Sequence, residues 1–500
     1  MNLTFFFFLL LSVRLFGGHR LVDACFSAGA GIPYMLPRTT EFKSRTPPVT
    51  TPVKNRIPPV TKPVKSRIPP KSTPVKSSVP GNSSLSIPQE LIEYIIDFLH
   101  DDIPIIRRCS LVSCAFLPRS RYHIYSNVFI VHIAELHLFR KQYAGQLYQS
   151  QNLLGLLARR PHIARLVTRF GMHAMSVPLF YEFMDTSFVS IISSLPNLSH
   201  LELVARGNQG FWKELSITTH KPFVTALRSR SLKTFIFNGI SFQMPRRFDD
   251  VFTAVANPAL KHLSLACDSG ADDACRPFAP ILPPPDGLPA LLESLSISGA
   301  ATTRNIKWLF SNQSLYNVRG IRRLSLQLCN KATSSLIQRL LDETQATLED
   351  FTLDGSAWSW AEPLVRLDLS RHRQLSSFFV IVSSPLDPLL SRTRLSPALR
   401  ILTVEQACDK RKPFLVPCSV NPWGRFDAHL DKLKLPVLRN VHIRLHSRSH
   451  DLCFNCGHEL PKHPDAWKHE VEENMPLHRE KGILEVEVVK QRYCIPRSFN

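Results

Sequence analysis

Residues 321–353, IRRLSLQLCNKATSSLIQRLLDETQATLEDFTL, contain one full period of the pattern that organises most of this chain. An apolar triplet, Ile321-Leu324-Leu326, opens it. Residues from Ser334 onward, SSLIQRLLDETQ, carry helical spacing, and a second triplet, Leu348-Phe351-Leu353, closes the period. The last two members of each triplet lie two residues apart, the side-chain period of a strand, so both point to one side. The intervening segment turns its apolar residues onto one helical face. Each strand-plus-helix unit has an apolar side that only a neighbouring unit can cover, so the units must stack. The expected fold class is α/β, with parallel strands inside and helices outside in one curved array.

The same triplet recurs as Leu198-Leu201-Leu203, Leu232-Phe235-Phe237, Leu260-Leu263-Leu265, Leu292-Leu295-Ile297, Leu375-Phe378-Val380, Leu399-Leu402-Val404 and Leu438-Val441-Ile443. The intervals between first residues are 34, 28, 32, 29, 27, 27, 24 and 39. TTRNIKWLFSNQ from Thr302 is another helical spacer. The pattern resembles leucine-rich repeats, whose period is about 20 to 29 residues, stretched here by insertions such as the proline-dense 275–289. The resemblance implies a solenoid over 150–490, closed by the helical DAWKHEVEENMPLHREKG and the strand ILEVEVV, with Leu484, Val486 and Val488 on one side. The turn asparagine usual in such repeats is found only at places such as Asn238.

In such a strand the residue between the last two apolar positions faces the concave surface. That column reads Glu202, Ile236, Ser264, Ser296, Ser325, Thr352, Phe379, Thr403 and His442. Small hydroxyls dominate its middle, which does not suit a phosphate or nucleic-acid surface. Two readings remain: a groove for a protein segment, or a merely solvated strand face.

Ahead of the repeats, residues 84–126 read SLSIPQELIEYIIDFLHDDIPIIRRCSLVSCAFLPRSRYHIYS. Ser86, Pro88 and Gln89 form a helix start, and Leu91, Ile95 and Leu99 with Ile92 and Ile96 form a helical stripe that Asp101 and Asp102 stop. Pro104 opens a second helix. A third, carrying Cys114, Phe116, Tyr122 and Ile124, is expected to break near Pro118. A unit of roughly 40 residues is too small to bury a sufficient core alone.

The order Ile-Pro-x-Glu-Leu-Ile, Ile-Ile-x-x-Leu, Cys-Ser-Leu-Val-x-Cys-x-Phe and Arg-Tyr in this segment resembles the F-box, in the form common in mushroom-type fungi. Phe116 stands where many members carry tryptophan. The resemblance implies a small all-α module that docks on the Skp adaptor of a cullin-RING ubiquitin ligase, through Leu91, Ile95, Leu99, Leu111, Val112 and Phe116, with Pro88 and Glu90 fixing the first helix. The following solenoid would then bind a protein substrate. The rival is a secreted leucine-rich-repeat binding protein in which this segment only caps the array and the sequons at Asn82, Asn197 and Asn312 are usable.

The formal charge of +21 is unevenly distributed: residues 43–76 hold nine Lys or Arg and no acid. This basic stretch lies in a proline-rich tether, 25–83, containing three 11-residue repeats over 45–77: RTPPVTTPVKN, RIPPVTKPVKS and RIPPKSTPVKS. Without apolar periodicity it is expected to be a disordered, polyproline-like linker. No aromatic residues interleave the cations, so no nucleic-acid partner is expected. Residues 1–24 contain FFFFLLLSV from Phe5 to Val13, too short to span a membrane but long enough for a signal-peptide core. A working signal would mean secretion; otherwise the ligase resemblance implies the cytoplasm or nucleus. The chain has eleven cysteines, an odd number, and several such as Cys109, Cys267 and Cys329 sit in apolar runs, which suits reduced thiols.

Catalytic motifs are lacking. HELPKH at His458–His463 misses the zinc-protease spacing by one residue, which turns the second histidine about 100° around a helix that Pro461 already disfavours. Cys453-x-x-Cys456-Gly457-His458, with His463, His469 and Cys494 as further donors, is a partial zinc motif without a second cysteine pair. No metal, cofactor or enzymatic activity is therefore expected.

Overall fold

The structure is a computed structural model and describes residues 87–131, 147–174, 187–205, 211–212, 217–228, 232–238, 241–242, 251–266, 290–299, 302–310, 315–327, 331–355, 367–382, 393–407, 422–448 and 464–491. The apolar run of residues 1–24, the repeats of 45–77, the 275–289 insertion, Cys267, Cys329, Cys453, Cys456, His458, His463 and Cys494 lie outside the described residues.

Among the described residues three short helices come first: α1 (Gln89–Phe98), α2 (Ile103–Cys109) and α3 (Leu117–Ser126). Strands follow in the order β1 (Asn127–Val131), β2 (Leu147–Tyr148), β3 (Arg169–Ala174), β4 (His200–Ala205), β5 (Phe211–Trp212), β6 (Thr234–Asn238), β7 (Ser241–Phe242), β8 (His262–Ala266), β9 (Ala290–Leu291), β10 (Ser294–Ser298), β11 (Tyr316–Asn317), β12 (Arg323–Gln327), β13 (Asp350–Asp354), β14 (Ser377–Val382), β15 (Ile401–Ala407), β16 (Asn440–Arg448) and β17 (Leu484–Gln491). Between them run α4 (Ser150–Arg159), α5 (Pro161–Ala164), α6 (Val189–Ser194), α7 (Ile217–Arg228), α8 (Thr302–Leu309), α9 (Lys331–Thr344), α10 (Pro422–Lys432), α11 (Pro464–Asn474) and α12 (Pro476–Glu480).

Thirteen strands make one sheet in the order β17-β16-β15-β14-β13-β12-β10-β8-β6-β4-β3-β1-β2. All twelve pairings in it are parallel. From β3 to β17 the sheet grows in chain order, so each unit packs on the one before it. The expected α/β architecture is present in this form. All nine apolar triplets place their last two residues on strands, with Leu295, Ile297, Leu324, Leu326, Phe351 and Leu353 among the buried core.

Units are joined by a recurring backbone device. Two consecutive N–H groups entering a strand donate to a single carbonyl at the entrance of the preceding strand: Lys261 and His262 to Lys233, Glu293 and Ser294 to Lys261, Arg322 and Arg323 to Glu293, and Glu349 and Asp350 to Arg322, at 2.8–3.1 Å. The device fixes register at one end of the sheet, and the strand ladders continue it.

Helices cover one face of the sheet. Ile306, Trp308 and Leu309 of α8 and Ile337, Leu340 and Leu341 of α9 join the core with the strand leucines. Phe351 and Phe378 stack across β13 and β14 with ring centroids 5.3 Å apart. The sheet extends further toward the N-terminus than the nine triplets indicate. Tyr125-Val128-Ile130 and Val167-Phe170-Met172 have the same apolar spacing and place their last two residues on β1 and β3, and β1 follows α3 directly.

Three local expectations change. Pro118 does not break the third helix but occupies its first turn, where a missing N–H costs nothing. Asp102 does more than end α1: its Oδ1 accepts the Ile105 N–H at 3.0 Å and caps α2. The closing helical segment divides at Met475 into α11 and α12, because Pro476 cannot continue the hydrogen-bond ladder.

The closing cap depends on a buried pair. Asp427 on α10 accepts from Leu477 N at 2.9 Å and His478 N at 3.3 Å and contacts His478 Nδ1, with both side chains almost fully enclosed. Replacing Asp427 by Ala strands these donors in the interior and should cost about 2–4 kcal/mol in chemical denaturation. An unchanged midpoint would show that the cap does not depend on this carboxylate.

Candidate functional site

Two surfaces stand out: the outer side of the three-helix unit, and the face of the sheet that the helices leave open. In the helical unit, Ile103, Ile106 and Ile124 form a small core with Leu99 and Tyr125 packed on it, while Ile92, Ile96 and Cys109 are also buried. The amphipathic period of α1 therefore buries Ile92 and Ile96 and turns Leu91, Tyr94 and Phe98 outward. Leu111 and Val112 follow in the turn after α2. All five outward side chains are more than half exposed, and Leu111 reaches 87%.

Of the residues read from sequence, Leu91, Leu111 and Val112 are exposed apolar groups, and Pro88 and Glu90 are exposed at the start of α1. Ile95 and Phe116 are half-buried, and Leu99 is drawn into the internal cluster. Tyr94 and Phe98 were not among the sequence candidates. Their signal was the register of α1: once Ile92 and Ile96 face inward, the residues two positions further along each point away.

Side-chain contacts hold these helices together. Gln89 Nε2 donates to the Ala115 carbonyl at 3.1 Å, bringing the start of α1 against the turn after Leu111 and Val112. Asp97 on α1 accepts from Arg119 Nη2 at 2.7 Å and lies 2.7 Å from His123 Nε2, both on α3. The Arg119 hydrogen bond, assisted by His123 against a burial penalty, holds the Asp97 carboxyl at about 2. Arg119 also lies over the Tyr122 ring, 4.9 Å from its centroid.

The open face of the sheet carries the polar residues of every strand. Pairing aligns Gly171, Glu202, Ile236, Ser264, Ser296, Ser325, Thr352, Phe379, Thr403, His442 and Glu485 in one row across β3 to β17. The column read from sequence is thus contiguous in register. Toward the strand starts lies a second row: Arg169, His200, Thr234, His262, Ser294 and Arg323. Sequence reading, confined to the middle column, missed it. The signal was present as a basic or hydroxyl residue immediately before the first buried leucine or phenylalanine of each of these strands.

These two rows enclose a groove of about 320 Å³ lined by Arg169, His200, Glu202, Thr234, His262 and Arg323 among others. Glu202 is buried at its floor, with Arg169 Nη2 at 2.9 Å and His173 Nε2 at 3.0 Å. Burial alone would raise its pKa, but the hydrogen bonds and charges of His173 and Arg169 outweigh that and hold it below the usual carboxylate range. Its lone pairs are committed to orienting Arg169, so it is a poor proton acceptor. At the β1 end, Phe129 takes the Arg169 guanidinium 5.3 Å from its centroid and lies edge-on to His173. Gly171 is required beneath it, since a Cβ there would overlap the Phe129 ring. Further along, charge is paired across strands, His442 with Glu485 at 2.9 Å and Arg444 with Glu487 at 3.2 Å.

Among the described residues no group of three or more His, Cys, Asp or Glu could hold a metal ion, and no helix is long and apolar enough to cross a membrane. Cys109 is buried as a free thiol and Cys114 is exposed. No protein-family model matches the chain, and no curated protein is similar to it at a significant level.

Two predictions follow from the ion pairs. Because the Asp97 pKa falls from 3.8 to about 2 on folding, its stabilisation is full above 3.8 and is lost as pH drops toward 2. The stability difference between wild type and Asp97→Asn, from denaturation followed by circular dichroism, should shrink to zero across that window. Glu202→Ala, which leaves Arg169 and His173 facing each other in a buried site, should destabilise by about 3 kcal/mol. A cost near zero would mean the pair is not formed.

Proposed function

We propose that this chain is a non-catalytic substrate-recognition subunit of a cullin-RING ubiquitin ligase, in which α1 to α3 form an F-box-like module that docks on the Skp adaptor. The sheet with its helices is then a leucine-rich-repeat-type solenoid whose open face binds a protein substrate. One observation carries this reading: Leu91, Tyr94, Phe98, Leu111 and Val112 are exposed on a helical unit whose own core is a handful of isoleucines. Large apolar side chains gathered on so small a unit favour a protein partner. Each one buried on association contributes about 1.5–3 kcal/mol, so a few are enough to anchor a partner subunit.

The chain would act without chemistry of its own. A substrate held on the open face is brought near a ubiquitin-loaded partner, and its local concentration there rises. This role belongs in the cytoplasm or nucleus. Sugar found on a sequon such as Asn197, which is exposed, would favour the exported alternative instead.

Pull-down of the full chain with the Skp adaptor tests the proposal. Wild type should recover adaptor. Leu91→Asp with Leu111→Asp, and separately Tyr94→Asp with Phe98→Asp, should reduce recovery about a hundredfold, as expected for a lost central anchor. Thermal melting should be unchanged, because these side chains already face water. Equal recovery from all three proteins would remove the ligase role.

A further inference from the structure

The groove on the open face has a definite charge. The first open-face positions of β3, β4, β6, β8, β10 and β12 carry two arginines, two histidines, a threonine and an enclosed serine, and the first acid in the row is the next residue along, Asp350 on β13. The acid on its floor, Glu202, is occupied by Arg169 and His173. His262 lines the groove, and its Nδ1 is buried without a hydrogen-bond partner among the described residues. Strand spacing of about 4.8 Å makes the row roughly 24 Å long, the span of an extended segment of about seven residues.

Resting on the reading of this chain as a protein-binding subunit, we propose that the groove takes an acidic segment of the substrate protein, with an aspartate or glutamate side chain seated between His262 and Arg323. Charge complementarity selects that occupant. A carboxylate brings a single charge, whereas a phosphate dianion would set twice that charge near Asp350, which pairs beside Arg323 on β13. Thr234, between His200 and His262 in the row, is a further polar contact for the segment.

Protonation then couples to binding. Burial, followed by the charges of Arg169, His262 and Lys233, keeps His200 below its ordinary value of 6.5. Burial and the charges of Arg323 and Lys261 do the same for His262, against the opposing Glu293. Glu202 and Asp350 are the remaining acids at the groove, one held by its partners and the other raised by its own burial and by Glu349. An added anion offsets the surrounding cations and raises both histidines, so binding takes up protons and tightens as pH falls.

Fluorescence anisotropy with the full chain and no adaptor provides the test, so a failed adaptor pull-down and a failed groove give separate results. The probes are a heptapeptide rich in Asp and Glu, its Asn/Gln counterpart and a phosphoserine counterpart. The acidic peptide should bind at least about tenfold more tightly than the neutral one, and more tightly at about pH 6 than at about pH 7.5. His262→Gln with Arg323→Gln should lose about tenfold in affinity and most of the pH dependence. Ser264→Glu, which places a like charge on the groove floor, should weaken binding independently. Changing Lys54, Arg56, Lys62, Lys65 and Arg67 to Gln in the tether should leave the affinity unaltered. Equal affinity for the groove variants and wild type, loss only in the tether variant, or preference for the phosphopeptide would each overturn the proposal.

Discussion

A strand of five residues next to one helix leaves a broad apolar side that water would cover unless another unit lies against it. In this chain that other unit is the next one along the sequence, and the paired N–H donors at each strand entrance dictate how far it may slide. Lys233, Lys261, Glu293 and Arg322 each offer one carbonyl to two donors of the following strand. A shift of a single residue would turn every strand leucine to the open face and every polar residue into the core. Register and core burial therefore reinforce one another along the whole sheet.

This arrangement has a consequence for binding. The helices take the apolar face, so the opposite face is free for whatever residues lie between the leucines, and parallel pairing lines those residues up as rows. Residues some thirty positions apart, such as Arg169 and Glu202, become neighbours because they hold equivalent places in successive units. The groove is thus a product of repetition. Its ends differ because the rows change character: basic and hydroxyl groups near β3 to β12, then ion pairs linking β16 and β17.

The helical unit before the sheet follows a different rule. It is too short to enclose its apolar residues, and Asp97 and Arg119 fix α1 against α3 so that one set is buried and the other is turned out. The same shortage of covering chain that makes the repeats stack on each other leaves Leu91, Tyr94, Phe98, Leu111 and Val112 facing solvent.

The amino-acid sequence alone determined the α/β class, the nine strand positions and the middle row of the open face, because the two-residue alternation of a strand and the period of the repeat are local properties. It also located the helical unit and three of its five exposed apolar groups. Only the tertiary structure decided that Ile92 and Ile96, not Leu91 and Ile95, form the buried stripe of α1, and that Leu99 turns inward, since this depends on where α2 and α3 lie. The pairing of Glu202 with Arg169 and His173, the need for Gly171 under Phe129, and the basic row from Arg169 to Arg323 likewise arise between units. Such contacts join positions far apart in the chain, and no local period encodes them.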